Sequence, residues 1–77
     1  MDNIYQQEAR YIFRVKESVS DTPHLALEPF GTEIDFLRNN QAHLFFTLPP
    51  GTTLERANEI AEFMNRNVAQ IGCFRLG

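Results

Sequence analysis

The sequence predicts an α+β fold: an antiparallel β-meander of three to four strands, packed on one face by a single C-terminal α-helix, with a short final strand available after it. Three observations predict it. Between Gly51 and Gly72 a start signal, a helical apolar period and a stop signal coincide. Upstream, the runs Tyr11 to Lys16, His24 to Glu28 and Ala42 to Leu48 alternate apolar and polar residues with the two-residue period of half-buried strands. Proline and glycine separate these runs, as turns between strands require. The 77 residues are expected to form one domain, 1–77, around one small core.

In chain order, Met1 to Glu8 is polar apart from Ile4 and Tyr5, so residues 1–8 are expected to be a flexible start. It holds no basic cluster followed by an apolar run, which is not the pattern of a signal peptide. In the first strand Tyr11, Phe13 and Val15 face one way, and Arg10, Ile12, Arg14 and Lys16 the other. Ser18 to Pro23 reads as a turn, after which Leu25 and Leu27 face inward. Antiparallel neighbours must match in parity, so Glu28 is placed on the same outer face as Arg14 and Lys16, where the opposite charges neutralise each other.

Pro29 and Gly31 end or bend the second strand near Phe30. Over Thr32 to Leu37 the alternation of Thr32, Ile34 and Phe36 favours a third strand, although Thr32 with Asp35 also resembles the start of a helical turn. Arg38 to Gln41 then forms a hairpin loop into Ala42 to Leu48, with Leu44, Phe46 and Leu48 inward and His43, Phe45 and Thr47 outward. Pro49, Pro50 and Gly51 stop that strand. Thr52 and Glu55 read as a capping box opening a helix from Thr53 to Ile71, whose apolar stripe is Leu54, Ala57, Ile60, Ala61, Met64, Val68 and Ile71. Gly72 supplies its left-handed exit, and Cys73 to Gly77 leave a tail able to return parallel to the preceding strand.

Function is constrained mainly by exclusions. The net charge of -3 argues against non-specific nucleic-acid binding, which draws on counterion release by a basic surface. No glycine-rich phosphate loop, H-E-x-x-H or C-x-x-C pattern occurs, so no cofactor, no metal site and no catalytic residue are assigned. The single cysteine, Cys73, excludes an intrachain disulfide and suits a reducing compartment, so the expectation is a complete cytoplasmic protein. No apolar run approaches the length of a membrane span. An enzyme using Cys73 and His43 is the least favoured reading.

One helix covers one face of a sheet, and the registers leave Ile12, Phe45, Phe30 and Leu37 on the other. Contiguous apolar exposure of this kind marks an association surface. The leading expectation is therefore a small protein-protein interaction module that homodimerises or binds a protein partner through the uncovered sheet face. The alternative is a small-molecule or nucleic-acid binder that uses Arg10, Arg14 and Lys16 for anions.

Overall fold

A computed structural model of the chain describes residues 4–17 and 22–76. In order these form β1 (Ile4–Ala9), β2 (Tyr11–Glu17), β3 (Pro23–Pro29), α1 (Asp35–Asn39), β4 (Phe45–Thr47), α2 (Leu54–Asn67) and β5 (Ile71–Leu76). The class is α+β as expected. β2, β3 and β4 make an antiparallel meander with α2 against it, and β1 pairs with β5 in a separate two-stranded sheet.

The register of the first hairpin keeps the parity expected of it. Phe13 lies opposite Leu27 and Val15 opposite Leu25. The Phe30 amide donates to the Arg10 carbonyl at 2.9 Å, so Ile12, Arg14 and Lys16 occupy the hydrogen-bonded positions of the ladder. Tyr11, Phe13 and Val15 consequently direct their backbone groups to the free edge of β2. On β3 the same alternation turns Pro23, Leu25, Leu27 and Pro29 toward β4. The prolines have no amide to offer there, and β4 pairs only with His24 to Ala26, while the Leu44 carbonyl takes the Leu27 amide at 3.0 Å. The turn at 18–21 lies outside the described residues, and Pro23 belongs to β3 rather than to that turn.

Thr32 to Leu37, read as a strand, instead leads into α1. The reason is long-range. The Ile34 amide donates to the Tyr11 hydroxyl at 3.1 Å and the Asp35 amide to Gln7 Oε1 at 2.8 Å. These bonds satisfy donors that the first turn of a helix leaves without intrahelical partners. Helical spacing then buries Ile34 and Leu37 together, and Gln41 leaves at a φ of 52°.

α2 begins one residue later than the capping box implied. Pro49 to Thr52 closes a type II turn, with Gly51 at a φ of 86° and the Thr52 amide donating to the Pro49 carbonyl at 3.1 Å. The Thr52 hydroxyl also donates to that carbonyl, at 2.6 Å, so Thr53 is the cap, accepting from the Arg56 amide at 3.1 Å. The helix ends at Asn67 rather than Ile71, because Val68 turns extended and the chain goes on to pair Ile71 with Ala9. Asn67 Nδ2 donates to the Phe63 carbonyl at 2.7 Å, and Asn40 Nδ2 closes α1 on the Phe36 carbonyl in the same way. Gly72 is thus a strand residue and not a helix exit, and the tail runs antiparallel to β1 instead of parallel to β4.

The core comprises Ala9, Tyr11, Phe13, Leu25, Leu27, Ile34, Leu37, Leu48, Ala57 and Ala61, with Val15, Phe36, Ile60, Met64, Val68, Ile71 and Cys73 half-buried against it. Leu44, Phe46 and Leu54, expected inside, remain 42%, 44% and 48% exposed. α2 lies over β2 and β3 and leaves the β4 margin of its own face uncovered. The segment expected to be flexible supplies β1 from Ile4 onward; Met1 to Asn3 lie outside the described residues.

Candidate interaction surfaces

Among the described residues, Phe63 is exposed on the solvent side of α2, and two further regions expose apolar residues on a sheet. The first is the sheet face opposite α2. The registers place Ile12 beside Glu28, the row Arg14, Ala26 and Phe45 across the middle, and the row Lys16, His24 and Thr47 beyond it. Phe45 is 62% exposed, with the His24 ring edge-on at 5.5 Å. A depression beside it is lined by Pro23, His24, Thr47, Leu48 and Pro50. Ile12 is half-buried by its neighbours.

Of the four positions expected to be exposed for association, Phe45 and Phe30 are open to solvent, Ile12 is partly so, and Leu37 is not. Leu37 is only 9% exposed, because the helical turn of α1 rotates it into the core beside Ile34. Phe30 lies at the end of β3, with the Arg10 guanidinium 4.5 Å from its ring centroid.

The basic residues have partners on the outer face. Glu28 Oε1 stands 3.4 Å from Arg14 Nε and 3.2 Å from Lys16 Nζ, as the parity argument anticipates. These groups are about half exposed, so each pair contributes little to stability, roughly 0 to 1 kcal/mol. Arg10 is committed to Phe30. The three cations therefore do not converge on one open anion cradle; two meet on a carboxylate and the third lies over an aromatic ring.

The second region is the β1–β5 ribbon. Its base joins the core through Ala9, Ile71 and Cys73. The pairing of Gln6 with Phe74 puts Phe74 on the opposite side of the ribbon from Cys73, and Phe74 is 63% exposed. The molecule is correspondingly long, 48 × 25 × 21 Å, with a radius of gyration of 14.4 Å against about 11.5 Å for a compact chain of this length.

A residue that sequence reasoning missed is Asn65. Its Oδ1 accepts from the Phe13 amide at 2.8 Å and its Nδ2 donates to the Phe13 carbonyl at 3.0 Å. The α2 side chain thereby occupies the middle of the free edge of β2. A signal was present, since Asn65 continues the Ala57–Ala61 row at a spacing of four with a polar residue. The small side chains at Ala57 and Ala61, both buried, bring the helix near enough for so short an amide to reach.

Cys73 sits in a ribbon paired with β1, so the approach of His43 that depended on a tail beside β4 does not arise. No three His, Cys, Asp or Glu side chains converge among the described residues. A cleft between α1 and the β3–β4 loop carries Glu33, Arg38 and His43 at its rim over Leu27, Leu37 and Leu44, and Arg38 pairs there with Asp35 at 3.8 Å. None of the described helices is long and apolar enough to cross a membrane. Comparison of the chain with protein families, with characterised proteins and with solved structures finds no match.

Proposed function

We propose that this protein is an interaction module that associates with a second copy of itself through the sheet face opposite α2, with Phe45 as the central apolar contact and Ile12 and Ala26 beside it. The observation that carries the reading is surface area. A folded chain of 8.9 kDa is expected to expose about 4,800 Å², whereas this one exposes 5,947 Å². The surplus is roughly 1,100 Å², more than the 800 Å² or so that each partner contributes to a standard interface. Exposed phenylalanines on the uncovered sheet and the ribbon are part of that surplus, and burying them on a copy removes apolar area from water. Working as a homodimer in the cytoplasm agrees with a lone, unpaired Cys73.

Sedimentation tests the reading. Phe45→Asp is expected to halve the native mass and leave the denaturation midpoint nearly unchanged, because the ring is outside the core. Phe46→Asp, on the helix side with its ring stacked on Phe13 at 5.8 Å, is expected to lower the midpoint instead. A native mass of one chain at every concentration, or a mass indifferent to Phe45→Asp, would overturn it.

A further inference from the structure

We infer that the free edge of β2, in the groove beside α2, takes an extended acidic segment of another protein as an additional antiparallel strand, and that Asn65 holds the place of that strand until it is displaced. The edge is separate from the Phe45 face, so the inference does not depend on self-association.

The form of the ligand follows from what Asn65 does. In an antiparallel ladder, alternate residues exchange both backbone bonds with the residue opposite. The Asn65 amide makes that pair of bonds with Phe13, accepting from its amide at 2.8 Å and donating to its carbonyl at 3.0 Å. A strand residue set opposite Phe13 would replace both bonds one for one, so its arrival leaves neither group of Phe13 unpaired. It would also bring bonds that one side chain is too short to make, because Val15 turns its backbone groups to the same edge and β2 pairs with no strand there. Asn65 is exposed, so its released amide returns to water.

Space and charge set the side chains of the incoming strand. Its residues opposite Phe13 and Val15 would face α2, where Asn58, Ala61 and Glu62 line the groove and Glu62 is turned to Arg66 at 3.5 Å. Its residues opposite Arg14 and Lys16 would lie on the outer face. Those two cations are about half exposed and share one oxygen of Glu28. Directly across from them β3 offers Ala26 and His24, neither of them a carboxylate. Two cations against one carboxylate leave positive charge on this margin, and opposite charges on facing strands attract. The strand that fits therefore alternates apolar residues with Asp or Glu. In such strand addition the main-chain bonds give affinity and alternate side chains give specificity.

A second copy of β2 is the poorer occupant. Opposite residues must match in parity. An antiparallel self-pairing centred anywhere from Ile12 to Lys16 then sets Arg14 or Lys16 across from a cation of the copy, namely Arg10, Arg14 or Lys16. Like charges directly opposite are destabilising.

The test is titration of the intact chain with blocked heptapeptides, read by calorimetry and by backbone amide exchange. A peptide in which valine and glutamate alternate is expected to bind and to slow exchange at Val15. The same residues in two blocks keep the charge without the alternation and are expected to bind far more weakly, as is the alternating peptide with lysine for glutamate. Asn65→Ala is expected to tighten the alternating peptide roughly five- to tenfold, since about one net hydrogen bond no longer competes. Arg14→Gln combined with Lys16→Gln changes only exposed side chains and, whether or not the Asn65 variant folds, is expected to remove the preference for glutamate over lysine. Absence of binding, equal binding of the alternating and block peptides, or unchanged exchange at Val15 would each overturn the inference. So would a glutamate preference that survives the double variant.

Discussion

β2 and β3 are seven residues long and β1 and β5 six, and both pairs are antiparallel and unbroken, yet the two are held in different ways. The β2–β3 hairpin lies under α2, has Phe13, Leu25 and Leu27 buried beneath it, and has its outer edge occupied by Asn65. The ribbon has its base in the core, and beyond that base Gln7 takes the Asp35 amide while Phe74 is largely exposed. Strand pairing alone therefore does not set how firmly a sheet is held in a chain this small; cover on the face and closure of the edge do.

The largest expected effect breaks the well-covered half. Leu25 is among the two most deeply buried large side chains, and Leu25→Ala should cost about 2 to 5 kcal/mol by leaving a cavity. A domain of this length has a total stability of roughly 4 to 11 kcal/mol, so chemical denaturation should show a large fall in midpoint, with α2 and the hairpin losing exchange protection together. Phe74→Ala should leave that midpoint almost in place; an equal fall for both variants would mean the ribbon belongs to the same cooperative unit as the hairpin.

Asn65→Leu comes next, because it removes both bonds to Phe13 and leaves a half-buried amide and carbonyl unpaired. The expected loss is about 1 to 3 kcal/mol, read as a lower midpoint, together with a new tendency to associate through β2. If neither changes, water satisfies that edge equally well and the contrast between guarded and open edges weakens. A smaller effect separates the two threonines before α2. Thr53→Ala should cost about 1 kcal/mol through loss of the cap, and Thr52→Ala distinctly less; the reverse order in thermal unfolding would restore Thr52 as the cap.

The smallest effect concerns charge. Arg14→Glu removes one of the two partners of Glu28 on an exposed surface, so stability should change by about 1 kcal/mol or less and the native mass hardly at all. A variant that kept its mass but lost affinity for a polyanion at low salt would turn attention from apolar association to the basic strand.

The chemistry of single elements was legible from the residues alone. Parity placed Leu25 and Leu27 on one face with Phe13 and Val15, and Glu28 on the other with Arg14 and Lys16, since a strand has only two faces and one must be apolar. The stripe from Ala57 to Met64 identified the buried side of α2 for the equivalent reason at a period of 3.6. What misled the reading was competition between local patterns. Ile34 alternates with Phe36 as in a strand but is spaced with Leu37 as in a helix, and Gly72 resembles a helix exit while fitting a strand equally well. Among the exposed positions, Phe45 was legible because alternation within its own run, 42–48, gave its face, whereas Leu37 was misplaced together with its element.

By itself the sequence determined the α+β class, the inward faces of the hairpin and of α2, and the ion cluster on the outer face, all of which follow from periodicities a few residues long. Only the tertiary structure decided that 35–39 is helical, that α2 yields to a strand after Asn67, that Asn65 closes the edge of β2, and that the two ends of the chain pair with each other. Each of these turns on a hydrogen-bonding partner far away in sequence, 23 residues away for Tyr11 and Ile34 and 52 for Phe13 and Asn65. A local pattern carries no information about such a partner until the chain has folded around it.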